Sequence, residues 1–559
     1  KNIPLMLNYL FYVLTLTVTI IIVAVPEGLP MMITLVLSSN MKKMLKDNVL
    51  VRKLIGIETS GSLNVLLCDK TGTLTLGKLS VKYIVTKDNR CFKSKKEVEL
   101  YKKYNEVLTK SLYYNNETIY SNGSFIGGNT TDQAIKRFIG TINYSEKIIN
   151  KKLFTSETKY SMVKTNDKCY YKGASEVLLK KCSKYLNING NEEALNNCNN
   201  LESLIRSFTS KGYRVLVNAY GDDDLKNLVF INLIVIADTI RPEAKESLEL
   251  INNAGIKTIM ITGDAKPTAV NIAKDLGLSN EKTIALTHDE LATLSDEQVM
   301  KIYPSLSVIA RALPQDKSRL VSIFQNYGLV VGMTGDGVND ALALKKSDVG
   351  FALGSGSEVA KDASDIVILD DNIFSICKAI LYGRTIFKSI RKFIIYQLTV
   401  NVCALFLSII GVLVGISTPI TIIQMLWLNM IMDTFAGLAF SYEPPLKEYL
   451  KEPPKSKNEP IMNRYMFNQI LVNGAYSAII CLLFLKLPII KHFIRLSSGD
   501  KYLYTAYFAL FIFMGICNSF ASRTHRLNIF AHILKNKVFL IINIVIFVVQ
   551  IYIIYFGGD

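Results

Sequence analysis

Three short polar clusters carry residue types suited to phosphoryl chemistry, and each directly follows an apolar run. Residues 63–68 end at Asp69-Lys70-Thr71-Gly72-Thr73. Residues 256–261 end at Thr262-Gly263-Asp264. Residues 329–333 end at Thr334-Gly335-Asp336-Gly337-Val338-Asn339-Asp340. A carboxylate can accept a phosphoryl group covalently, which makes Asp69 the candidate nucleophile. Asp336 and Asp340 are candidate Mg2+ ligands, because Mg2+ takes oxygen donors and bridges to phosphate. Thr262, Gly263 and Lys317 would supply donors and positive charge to the transferring phosphoryl oxygens. Taken singly, Thr-Gly-Asp or Asp-Gly reads as a turn. Three such clusters in one repeating frame argue for a site.

The apolar runs before the clusters are rich in β-branched residues and show no alternation, as strands buried on both faces of a parallel sheet do. Helical patterns separate them at 242–254, 267–276 and 316–327. Alternating strands and helices specify a doubly wound α/β domain. Such sheets bind ligands at the carboxyl ends of their strands, so the three clusters should converge.

The chain has 559 residues, half of them hydrophobic and one in five charged, with a formal charge of +17. That balance suits several membrane helices joined to a large soluble part and excludes extensive disorder. Apolar stretches long enough to span a bilayer run over 10–39, 392–415, 419–440, 467–489, 502–521 and 536–557. Basic residues follow the first, third and fifth of them: Lys42, Lys43 and Lys46; Lys447, Lys451 and Lys455; Arg523 and Arg526. All lie on the side of the soluble block, which the positive-inside rule makes cytoplasmic. The charge then reflects topology and contact with anionic lipid rather than nucleic-acid binding, since no basic stripe is interleaved with aromatics. Nine cysteines without a C-x-x-C pair read as reduced, buried thiols.

The first apolar stretch contains Pro26-Glu27-Gly28-Leu29-Pro30, which breaks a helix and frees carbonyls at membrane depth. A carboxylate there is costly, so Glu27 is read as functional. Asn429 and Asp433, spaced i and i+4, share one helix face. Two carboxylates, an amide oxygen and free carbonyls form an all-oxygen cage. That is Ca2+ chemistry rather than zinc or copper chemistry.

The run from Cys68 to Thr75 resembles the phosphorylation signature of P-type ATPases, and 262–264 and 334–340 resemble that family's other phosphorylation motifs. The resemblance implies a multidomain fold: a helical transmembrane bundle plus a cytoplasmic α/β haloacid-dehalogenase-like (Rossmannoid) phosphorylation domain, with an inserted α+β nucleotide-binding domain. The expected divisions are 1–39 in the membrane, 40–77 and 237–391 in the phosphorylation domain and stalk, 78–236 in the nucleotide domain, and 392–559 in the membrane. The same resemblance implies an aspartyl phosphate on Asp69, and Mg2+ held by Asp69, the Thr71 carbonyl and Asp336. Lys317 neutralises the phosphate, and Asp264, Asn339 and Asp340 complete the site. For ATP it implies Phe154 stacking on adenine, with Asp132, Lys159, Lys172, Gly173 and Arg214 around it. Asp132 stands where the family usually has Glu. Arg241, in the hinge motif at 238–242, and Arg311 are grouped with the nucleotide-binding residues.

The segments 25–30, 40–48 and 424–434 look like plasma-membrane-type Ca2+-ATPases. This implies transported Ca2+ on Glu27, Asn429, Asp433, Asn401 and the carbonyls of Ile22, Val23 and Val25. Two-site pumps have an acid where this chain has Ala404 and a Thr where it has Met432, so one ion per cycle is expected. Gly515 and Ser519 also depart from the family pattern. The family's Thr-Gly-Glu-Ser actuator motif does not occur here, so the chain is expected to be a pump truncated at both ends that does not cycle alone. The readings kept open beside it are a non-catalytic remnant and a membrane-tethered phosphatase. A phosphatase would want an acid at Thr71 to activate water. The membrane could be plasma, vacuolar or reticulum, and calmodulin regulation is not readable from this chain.

Overall fold

The computed structural model describes residues 3–24, 28–121, 124–142, 144–155, 157–416, 420–457, 459–494, 501–524 and 526–556. An eight-stranded sheet forms the centre of the soluble part. Its strands run in the order Val49–Val51, Ile366–Ile368, Val349–Leu353, Val331–Gly335, Val65–Asp69, Lys257–Ile261, Leu306–Ala310, Ile284–Thr287. All neighbours pair parallel except the first two, which are antiparallel. The three strands read from sequence are the central three. Each begins one or two residues later and ends up to two residues later than its apolar run, because the last apolar residues carry straight into the polar clusters.

Alternation decides which face each side chain covers. Val65 and Leu67 pack with Ile259, Ile261 and Met333 on one face. Leu66 and Cys68 pack with Met260 and Phe351 on the other. Both faces are closed by helices, Pro314–Asn326 on one and Ala244–Asn253 on the other. This is why the strands carry unbroken apolar runs.

A second, nine-stranded sheet holds the insert. Its longest strand, Leu228–Ile240, pairs antiparallel with Thr75–Val85. These two strands leave and re-enter the first sheet side by side, and the expected divisions at 77 and 236 fall inside them.

Five helices among the described residues are long and apolar enough to cross a membrane: Ile373–Leu413, Ile422–Ser441, Arg464–Lys486, Lys501–Arg523 and Lys537–Phe556. They match the expected spans from 392 onward within a few residues, save that the first begins far earlier. Its 41 residues, roughly 60 Å of helix at 1.5 Å per residue, start at an Asn372 cap beside the eight-stranded sheet. The expected span at 10–39 consists of two helices, Ile3–Ala24 and Gly28–Lys46. Val25, Pro26 and Glu27 lie outside the described residues.

Candidate functional site

Parallel register brings the three polar clusters level. Asp69 is the last residue of the central strand and pairs with Ile261, the residue before Thr262. On the other side Met333 pairs with Leu67, which puts Gly335 and Asp336 beside Asp69. The Asp69 amide donates to the Thr334 hydroxyl at 2.9 Å. Carboxylate oxygens of Asp69, Asp336 and Asp340 lie within 4.8 Å of one another.

Lys317 reaches this cluster from the first turn of Pro314–Asn326. Its Nζ donates to Asp69 Oδ1 at 3.1 Å and to Asp340 Oδ1 at 2.6 Å. Asp340 Oδ2 accepts from the amides of Asp336 and Gly337 at 3.3 and 3.2 Å. Both Asp340 oxygens are thus engaged, one in holding Lys317 and the other in folding its own loop. Burial pushes the Asp69 carboxyl up to about 6, against the pull of Lys317. Burial, with Asp340 adding to it, also holds Asp336 above the usual carboxylate range. For Lys317 burial acts downward, but Asp69 and Asp340 outweigh it and its pKa is raised. The lysine is charged wherever the site operates.

The loop after Asp69 is locked from three sides. Gly72 has φ 76°, a conformation glycine takes without strain, and a Cβ there would stand 3.0 Å from Asp336 Oδ2. Arg241 Nε and Nη2 donate to the Gly72 carbonyl at 3.1 and 2.9 Å. Lys70 Nζ bridges Asp238 Oδ2 and Asp264 Oδ2 at 3.1 and 2.9 Å, and the Thr75 hydroxyl donates to the same Asp238 oxygen. Sequence reading assigned no task to Lys70 or Asp238. Their opposite charges, in a signature and a hinge motif 168 residues apart, were the available signal.

Around Thr262, the Asp264 amide donates to the Thr262 hydroxyl at 3.1 Å, while the Arg311 amide donates to the Asp264 carbonyl at 2.9 Å. A Cβ on Gly263 would meet no atom within 4 Å, so this turn borders open space. Asn339 is exposed at the rim. Arg241 and Arg311 therefore sit at the loops that follow Asp69 and Thr262 and do not line the insert's cavity.

That cavity, of about 510 Å3, is lined by Asn115, Thr131, Asp132, Phe154, Lys172, Gly173 and Arg214 among others. Lys172 is buried and forms an ion pair with Asp132, and its Nζ also donates to the Asn115 carbonyl at 2.6 Å. Burial lowers the Lys172 pKa, with Asp132 opposing. Arg214 Nη1 donates to the Thr131 hydroxyl at 2.7 Å. Gly173 packs against the neighbouring strand so closely that a Cβ would lie 2.5 Å from the Lys159 carbonyl oxygen. Lys159 itself is not among the residues lining the cavity and pairs with Glu176 at 3.2 Å.

In the membrane part, Asn401, Asn429 and Asp433 are all buried. Gln397, which sequence reading missed, donates through Nε2 to Asp433 Oδ2 at 2.7 Å. It stands one turn before Asn401 on the same helix, and that polar i, i+4 pair in an apolar run was legible. Neither side-chain polar atom of Asn401 has a hydrogen-bond partner among the described residues. Asn429 lies in a π-helical segment, Trp427–Met432, directly before Asp433. Such bulges concentrate at functional sites. A Cβ on Gly28 would lie 3.0 Å from Asp433 Cβ, so the start of Gly28–Lys46 abuts this cluster. Glu27 and Val25 lie outside the described residues, and Ile22 and Val23 fall in the last turns of Ile3–Ala24.

Comparison with known proteins agrees with this arrangement. Residues 63–348 match the family model for haloacid dehalogenase-like hydrolases, and 417–558 match that for the cation transporting ATPase C-terminus. Calcium-transporting ATPase PAT1 of Dictyostelium discoideum is 36% identical over 97% of this chain and 54% of its own length. Plasma membrane calcium-transporting ATPase 4 of Bos taurus is 34% identical over 99% of this chain and 51% of its own length. Calcium-transporting ATPase 4, plasma membrane-type, of Arabidopsis thaliana is 34% identical over 97% and 56%. The chain spans about half the length of the curated relatives it matches. With a parallel sheet that gathers carboxylates at its strand ends, an inserted cavity and helices long and apolar enough to cross a membrane, the chain belongs to the haloacid dehalogenase-like hydrolases and is similar over nearly its whole length to plasma-membrane-type calcium-transporting ATPases.

Proposed function

We propose that this chain carries the catalytic and ion-binding parts of an ATP-driven Ca2+ transporter that exports cytoplasmic Ca2+ through an aspartyl phosphate, one ion per cycle. The observation that carries the reading is the convergence of Asp69, Asp336, Asp340 and Lys317 at the carboxyl end of the central strands. ATP is held in the insert's cavity, its base against Phe154 and its phosphates toward Arg214. Asp69 attacks the γ-phosphorus in line: a bond forms from its carboxylate oxygen to phosphorus, the bond to the β–γ bridging oxygen breaks, and ADP leaves. Lys317 neutralises charge on the nucleophile and the transferred group. Lys70, bridging Asp238 and Asp264, ties the hinge to the loop and holds Asp69 in place.

The donor set fits Mg2+, since three carboxylates converge with no softer ligand among them. Asp69, the Thr71 carbonyl and Asp336 would hold it, with Asp340 within reach but committed to Lys317. When bound, Mg2+ screens the repulsion between the carboxylates and the incoming phosphate.

Ca2+ is the transported substrate. Glu27, Asn429, Asp433 and Asn401 are its proposed ligands. The buried Asn401 amide, without a partner among the described residues, supports this, because such a group is costly unless a ligand satisfies it. The continuous helix Ile373–Leu413 reaches from the phosphorylation sheet to Gln397 and Asn401, a rigid link between the two sites.

The test is acid-stable, hydroxylamine-sensitive incorporation of labelled phosphate from γ-labelled ATP, with and without Ca2+, in this chain and in Asp69→Asn. Ca2+-dependent label that disappears in Asp69→Asn is expected. Label persisting in Asp69→Asn would overturn the nucleophile, and label indifferent to Ca2+ would overturn the ion site.

A further inference from the structure

Three membrane helices bring sulfur atoms together where neither the phosphorylation chemistry nor the ion cluster uses them. Cys403 lies on Ile373–Leu413, Cys481 on Arg464–Lys486 and Met514 on Lys501–Arg523. Cys403 and Cys481 are buried free thiols that line the same small pocket. Cys481 Sγ lies 3.9 Å from Met514 Sδ. All three line a small pocket of about 20 Å3 with Thr399, Ser477 and Asn518. That is room for one ion or one water. The Tyr507 hydroxyl, on the same helix as Met514, is buried and has no hydrogen-bond partner among the described residues.

We propose that Cys403, Cys481 and Met514 form a binding site for a single soft monovalent metal ion, Cu(I). Two thiols and a thioether are the donors that select Cu(I) over the harder cations the oxygen cluster takes. Charge argues for a monovalent ion with one thiolate. In a low-dielectric interior the site must stay neutral. One Cu+ replacing one thiol proton does this: the Cys481 S–H bond breaks, a sulfur–copper bond forms, the proton leaves to solvent, and no atom changes oxidation state. The Cys403 thiol and the Met514 thioether complete a three-sulfur set as neutral donors. Cys403 stands two residues from Asn401, so a bound ion would pin three helices beside the oxygen cluster.

The experiment loads the whole chain in detergent anaerobically with Cu(I) and back-titrates with bathocuproine disulfonate. The background is Cys91→Ser, Cys182→Ser, Cys198→Ser and Cys517→Ser, so that more accessible thiols contribute nothing. Expected is one retained copper per chain, with an X-ray absorption spectrum showing three sulfur neighbours. Adding Cys481→Ala should abolish retention. Met514→Leu, a volume-conserving change that preserves packing, should keep the fold, lower the sulfur count to two and weaken retention. No retained copper in the background protein would overturn the site. So would unchanged retention in Cys481→Ala, or a three-sulfur shell in Met514→Leu.

Discussion

Replacing Lys317 by Met removes the ammonium that stands between Asp69 and Asp340. Its side chain is 11% exposed and that of Asp340 4%, so water cannot take its place. The cluster of Asp69, Asp336, Asp340 and Lys317 then goes from two net negative charges to three. Removing one partner of a buried ion pair costs about 3–5 kcal/mol. At roughly 2–4 °C per kcal/mol, the melting temperature of the soluble part should fall by about 6–20 °C.

The pH dependence separates this account from a mere packing defect. A carboxyl whose folded pKa exceeds its unfolded value stabilises the fold at low pH, and that stabilisation is lost as pH rises through the folded pKa. Asp69 already titrates at about 6 with Lys317 beside it. Without the lysine its value moves higher, so the deficit against wild type should widen between about pH 5 and about pH 8. Circular-dichroism melts of the whole chain in detergent at both pH values read this directly. Adding Asp340→Asn removes one stranded charge and should recover part of the loss. A deficit equal at both pH values, or a double variant no more stable than Lys317→Met, would refute the reasoning.

Gly173→Ala forces a Cβ to 2.5 Å from the Lys159 carbonyl oxygen and 2.6 Å from Tyr160 Cα, backbone atoms that have little room to yield. An overpacking cost of about 1–3 kcal/mol should weaken ATP binding by roughly 5- to 150-fold, measured by calorimetry. Labelling of Asp69 by acetyl phosphate, which has no base to place in the cavity, should be unchanged. Gln397→Leu removes the donor to Asp433 and should move the Ca2+ dependence of labelling about tenfold to higher Ca2+, with ATP affinity intact. On the proposed reading Asp69 attacks as the carboxylate, and its pKa is raised to about 6 in the metal-free chain, so labelling at fixed ATP and low Mg2+ should fall as pH drops through about 6. A flat profile from about pH 7 to about pH 5 would count against the raised pKa.

Much of the candidate site was legible because its residues are local in sequence. Strand, turn and carboxylate are contiguous at 63–73, 256–264 and 329–340, and the parallel-sheet rule requires such ends to meet. The membrane helices were legible for the same reason, since each shows its apolar length within its own span. Their limits were less so. Ile373–Leu413 starts some twenty residues before its apolar part, because a helix continues through polar sequence wherever packing supports it.

What the chain alone could not say concerns partners distant in sequence. Nothing local reveals that Asp340 spends one oxygen on Lys317 and the other on its own loop, or that Arg241 grips the Gly72 carbonyl. The same holds for Lys159, which motif reading put beside ATP and the structure pairs with Glu176. Gln397 on Asp433, and the meeting of Cys403, Cys481 and Met514, depend on how whole helices are rotated against one another. Residue types and spacing set which chemistry was available. Tertiary packing decided which groups spend their charge and hydrogen bonds on each other and which remain open to a ligand, because burial makes every unpaired polar group costly and so forces the pairing.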